Sequence, residues 1–133
     1  MREILFRGKG KYNGEWVYGV PVQYSDGDWQ IQVGHSNARC CVTVVPETIG
    51  QYTGLLDKNG TKIFEGDIIK DTTDNELLVV EGSTAFGFDF KYATEPDAYV
   101  TAFDLGISED DTYLTSCIVV GNIHSNPKLL EVE

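Results

Sequence analysis

Apolar and polar residues alternate along most of this chain, and that alternation predicts β-strands. In Trp29-Gln30-Ile31-Gln32-Val33 the three apolar residues share one face and the two glutamines the other. Glu15-Trp16-Val17-Tyr18-Gly19-Val20 also reads as a strand, and Ser25-Asp26-Gly27-Asp28 stands between the two. Asp-Gly between alternating runs predicts a hairpin, because a tight reversal needs a positive φ that Gly and Asp tolerate. Cys41-Val42-Thr43-Val44-Val45 is a β-branched run closed by Pro46, which has no N–H for a ladder. Leu55 to Phe64 repeats the hairpin logic around Asn59-Gly60, Glu65-Gly66-Asp67 makes a break, and Asp67-Ile68-Ile69-Lys70 returns to strand.

Glu76 to Val80, Phe86 to Tyr92 and Thr115 to Val120 are further strands by the same criteria. Phe86, Phe88 and Phe90 share one face at period two, which suits a core lining better than an exposed base-stacking platform. Residues 93–112, punctuated by Pro96 and Gly106, predict a loop or a short helix near Asp97 to Asp104. In the tail, Ser125 to Glu131, Asn126 suits an N-cap and Pro127 the first helical position, so one helical turn is expected. Helical apolar spacing is sustained nowhere, and no repeat appears. At least eight short strands with tight turns predict an all-β roll or small barrel.

The chain has 133 residues and a formal charge of −11. That length allows one domain or two small lobes. Its apolar share of 41% is that of a globular chain, and no stretch approaches the ~20 apolar residues of a membrane-spanning helix. The start, Met1 to Arg7, lacks the apolar run of a signal peptide, so a cytoplasmic location is expected. Residues 71–133 hold thirteen of the 21 acids and two of the ten basic side chains. Nucleic-acid binding needs a basic surplus, so Arg2, Arg7, Lys9 and Lys11 are a poor basis for it. Acidic surface keeps a small domain soluble; it can also meet a basic partner or imitate nucleic acid.

Candidate chemistry is sparse. Cys40, Cys41 and Cys117 form no Cys-x-x-Cys, and with His35 and His124 far apart they predict buried reduced thiols and no metal site. Neither histidine has a nucleophile motif beside it. No phosphate-binding glycine loop is present. Asp57, Asn59 and Glu65 fail as a calcium loop, because Gly60 stands at loop position four, where an EF-hand needs it at six. Asn59-Gly60-Thr61 matches a glycosylation acceptor, which means nothing without secretion. Glu65 and Asp67 are paired carboxylates that can do acid–base work in suitable surroundings, but Gly66 between them predicts a turn whose acids cap backbone N–H groups. No catalytic, cofactor-binding or metal-ligating residue is therefore assigned, and no cofactor is expected.

The stretch Gln51 to Lys70 (QYTGLLDKNGTKIFEGDIIK) closely resembles the signature of the YopX family of bacteriophage and prophage proteins. Val120 to Glu131 (VGNIHSNPKLLE) resembles that family's closing motif, and Arg2 to Gly8 and Trp16 to Gly19 are weaker matches in the expected order. The resemblance implies an all-β fold: an SH3-like small barrel over residues 51–133, an N-terminal β lobe over residues 1–50, and a short C-terminal helical turn, or one compact unit. It supplies no catalytic residues, since the family carries no established activity. The expected function is a non-catalytic protein–protein interaction module from a mobile element, with a protein partner and homo-oligomers as its associations. The alternative is an acidic nucleic-acid mimic that inhibits a nucleic-acid-binding protein. A hydrolase built on Glu65, Asp67 and His124 is a weaker third reading, and direct nucleic-acid binding a fourth.

Overall fold

The computed structural model describes residues 4–33, 40–83, 87–95 and 97–130. Arg2, His35, Phe86, Pro96 and Glu131 lie outside them, as does the side chain of Cys40. The chain divides into two compact units, residues 1–52 and 53–133.

The first unit is an antiparallel sheet. Its strands are β1 (Phe6–Lys9), β2 (Trp16–Gln23), β3 (Trp29–Val33), β4 (Cys40–Val44) and the start of β5 (Gly50–Leu56), in the order β4-β3-β2-β1-β5. The hairpin expected at Asp26-Gly27 forms there. Gly27 takes φ 93°, Tyr24 N–H donates to the Asp28 carbonyl, and Asp28 N–H donates to the Asp26 carboxylate. Gly19 has no substitute, because a Cβ there would collide with the Gln32 carbonyl on β3. β2 also carries Pro21, and its position explains why it is tolerated. β2 pairs with β1 over residues 16–19 and with β3 over residues 20–23. The Tyr24–Asp28 bond fixes the alternation of the antiparallel ladder, so Pro21, an odd three positions from Tyr24, sits opposite Ile31 in a non-bonded pair and its nitrogen faces away from β3. The far end of β4 returns to β1: Lys11 N–H donates to Thr43 O and Val45 N–H donates to Lys9 O. Gly8 makes room for Val44, whose side chain would stand 3.1 Å from a Cβ at that position. Ile31 and Val44 are fully buried.

The second unit holds the rest of β5, then β6 (Lys62–Phe64), β7 (Asp67–Asp71), β8 (Glu76–Ser83), β9 (Gly87–Tyr92), β10 (Tyr99–Val100), helix α1 (Ala102–Leu105) and β11 (Cys117–Asn122). Five strands make an antiparallel sheet in the order β10-β9-β8-β7-β11. Ile63, Ile69, Leu78, Val80, Phe90 and Leu114 form its core, and Phe88 packs against them. The aromatic face of β9 is thus core, as expected for Phe88 and Phe90.

Three expectations change. The strand order is open, so this sheet is not a closed barrel. The cause lies at β11, whose outer edge is already bonded. Lys58 N–H donates to Cys117 O, Val119 N–H donates to the Asp57 carboxylate, and Asn122 N–H donates to the Asn126 side chain. The strand expected at Thr115 to Val120 starts two residues later, because Thr115 N–H is bound by the Gly106 carbonyl and Ser116 O accepts from Thr72. It runs on through a bulge between Val119 and Gly121. The tail, Pro127–Leu130, is a 3-10 turn. Asn126 does not cap it with its side chain, which turns back to Asn122.

Candidate functional site

The signature and the closing motif meet in the second unit, and most of their polar groups hold backbone. Asp57 is 2% exposed, and its carboxylate accepts from Asn59 N–H and Thr61 N–H at 2.8 Å each and from Val119 N–H at 2.9 Å. A single carboxylate therefore fixes the Asn59-Gly60 reversal and ties it to a strand 62 residues away. Asp67 is buried, with Oδ2 2.7 Å from the Phe64 N–H. Between Phe64 and Asp67, Gly66 takes φ 91°, donates to Val80 O and accepts from Ile123 N–H. Asn122 Oδ1 accepts from His124 N–H and Ser125 N–H, and the Asn126 side chain lies where a Cβ on Gly121 would be.

The three residues of the hydrolase reading are partly brought together. A Cβ at Gly66 would stand 3.5 Å from His124 Nε2, so the histidine ring lies over the Glu65-Gly66-Asp67 bend. Glu65 instead reaches over Gly82, where its carboxylate would overlap any Cβ. Asp67 faces the Phe64 N–H. Among the described residues no cluster of three His, Cys, Asp or Glu side chains is placed to hold a metal ion. His124 also edges a shallow surface depression of about 530 Å³ with residues 125–129.

Of the basic residues of the nucleic-acid reading, Arg7 is taken up inside the fold. Arg7 is buried with its guanidinium 4.7 Å from the Trp16 ring centre, a cation–π stack. Lys11 is exposed, 5.7 Å from the Tyr12 ring. The thiols separate. Cys117 is fully buried and its pKa is pushed up to about 12, chiefly by burial and then by Asp71, Asp74 and Asp57, so it is inert. Cys41 is exposed, contrary to the buried thiol expected, because position 41 falls on the outer face of β4.

The acids of residues 71–133 lie on several elements. Asp71 accepts from Thr73, and Asp74 accepts from Glu76 N–H. These groups stand near Tyr92, whose pKa is raised by burial first and by Asp74, Asp71, Glu76 and Glu95 after it. Glu81 pairs with Lys91 at 2.8 Å, which raises the lysine's pKa. Asp104 closes a capping box with Thr101 at the start of α1, and the Thr101 N–H and hydroxyl lower its pKa. In the following loop Asp110 accepts from the hydroxyls of Thr112 and Ser108, which lower its pKa in that order.

A row of exposed apolar side chains in the first unit runs along β2 and one residue past its end. Tyr18, Val20, Val22 and Tyr24 alternate on one face, 48%, 55%, 37% and 43% exposed. Beside them on β3, Gln32 pairs with Val20 and Gln30 with Val22. The row was hidden in the sequence because both faces of β2 are apolar: Val17, Gly19 and Pro21 occupy the other. The available signal was the continuation of alternation through Val22 and Tyr24, past Pro21.

The comparisons bear on family and fold. The sequence profile of the YopX protein family matches residues 5–131. The crystal structure of protein EF1440 from Enterococcus faecalis is similar, with a TM-score of 0.62 and 22% identity, over 98% of this chain and 100% of that one. At that identity the likeness concerns the fold. No curated protein matches the chain. With a profile match over nearly its whole length, framing the signature and closing motif that the structure joins, the chain belongs to the YopX family.

Proposed function

We propose that this protein is a phage- or prophage-encoded, non-catalytic interaction module that works in the cytoplasm of a bacterial host and binds protein through the outer face of β2. One observation carries the reading: the row Tyr18, Val20, Val22, Tyr24, each more than a third exposed. Four apolar side chains in line on a sheet face lose free energy to water, and such a patch is a common mark of a partner surface. Tyrosine is also enriched at interfaces, because its ring packs while its hydroxyl stays wet. The second unit is read as an opened relative of the SH3-like small barrel, with Asp57 and Asp67 of its signature engaged by backbone donors.

The mimic alternative asks for one exposed row of carboxylates. The acids here occupy β7, the turn after it, β8, α1 and the loop beyond, and several are taken up by local donors. That weighs toward the interaction reading. The test is photo-crosslinking in cells from a benzoyl-phenylalanine at position 20, compared with one at exposed Glu109. A discrete band from position 20 and none from 109 is expected. No band from position 20, or equal bands from both, overturns the reading.

A further inference from the structure

Resting on the interaction reading, we propose that the occupant of the β2 face is a second copy of this chain. The first argument is the order of the side chains. Positions 18, 20, 22 and 24 read Tyr-Val-Val-Tyr, the same in both directions. A two-fold axis requires a self-complementary surface. With the axis crossing β2 at the level of Pro21, Tyr18 faces the other copy's Tyr24 and Val20 faces its Val22. With the axis along β2, tyrosine again meets tyrosine and valine meets valine. Two such sheets stack about 10 Å apart with strands nearly aligned, side chains interlocking.

The second argument is charge. Two chains at −11 repel each other, so a dimer is favoured by a face that does not itself carry the surplus. Residues 1–52 hold five basic and five acidic side chains, net zero, and the whole surplus falls in residues 53–133. The β3 residues beside the two valines, Gln30 and Gln32, are uncharged. The ends of the row carry Arg7, beside Tyr18, and Asp28, across from Tyr24, and with the axis at Pro21 the Arg7 end of one copy meets the Asp28 end of the other, so like charges are not opposed across it.

The third argument is area, which sets the strength. The four side chains expose roughly 300 Å² of surface per copy. A stable dimer buries about 800 Å² per partner. Even with the glutamines added, the contact is a small one. The dimer is therefore weak and reversible, and salt strengthens it by screening the charge of the second units.

The test is sedimentation of the full chain from about 5 to about 500 µM. The mass should rise from 14.8 kDa toward twice that value, and rise further in high salt. The Val20→Lys/Val22→Lys chain should stay monomeric at the highest concentration, while Tyr113→Lys, on an exposed tyrosine of the second unit, should behave as wild type. Should the double variant misfold, the wild-type chain answers alone. Exposed Cys41 lies on the same outer face, 3.7 Å from the Tyr24 hydroxyl, and its alkylation rate should fall severalfold as the dimer fills. Wild type that stays at 14.8 kDa throughout, or dimers that survive the Lys substitutions, overturn the inference. A monomeric wild type that still crosslinks from position 20 to a different protein overturns only the choice of occupant. A monomer with no crosslink overturns the interaction reading as well.

Discussion

Replacing Asp57 by Ala removes the acceptor of three backbone donors at once: Asn59, Thr61 and Val119. A hydrogen bond to a charged group contributes about 1.5–3 kcal/mol. Asn59 and Thr61 are exposed residues whose N–H groups water can reach, so their loss is partly offset. Val119 is half-buried and its donor has fewer substitutes. The total expected loss is about 3–5 kcal/mol, a large part of the ~5–15 kcal/mol that a domain has. With a urea slope of about 1–3 kcal/mol per molar, the midpoint should fall by roughly 1–5 M. Asp57→Asn keeps one acceptor and should lose about half as much. Amide exchange gives the local readout, with protection at Val119 dropping in both variants. If Asp57→Ala loses under about 1 kcal/mol and Val119 stays protected, the carboxylate does not tie the signature hairpin to β11, and the structural reading of residues 51–70 is wrong.

Gly66→Ala places a side chain at φ 91°; urea denaturation should show a loss of about 1–2 kcal/mol, against no change for a residue at an ordinary φ. In the native chain at pH 8, alkylation followed by mass mapping should mark Cys41 and leave Cys117, whose thiol sits near pKa 12, untouched until denaturant is added. Thr101→Ala removes the hydroxyl donor that helps hold the Asp104 carboxyl low, so an NMR titration should show that pKa rising toward the ordinary value. A carboxyl depressed in the folded state contributes stability above its unfolded pKa and loses it as pH falls through the folded one. The stability gap between Thr101→Ala and wild type should therefore narrow in acid, leaving the part due to the Asp104 N–H bond to the Thr101 hydroxyl.

What the sequence made legible was local. Asp26-Gly27 and Asn59-Gly60 turn where they were expected to, because the chemistry of a tight reversal sits within four residues. The break at Gly66 was legible for the same reason, and so was the engagement of Asp67 by backbone. What was not legible is long-range. Strand β1, over Phe6 to Lys9, has two charged residues and a glycine and no alternation of its own; it is a strand because Gly8 admits Val44 and Arg7 stacks on Trp16. Nothing near Asp57 announces that its carboxylate will bond Val119. That bond, with Asn126 on Asn122, occupies the edge that a closed barrel would have paired. The β2 row was missed because a strand that is apolar on both faces does not say which one is covered.

The claim that the working surface is β2, and not the acids of the signature, is tested most directly by amide NMR spectra recorded over rising protein concentration. The account predicts shifts and broadening confined to residues 18–24, 30 and 32, with Asp57, Asp67 and His124 unmoved. Changes centred on residues 57–67 and 122–126 would contradict it.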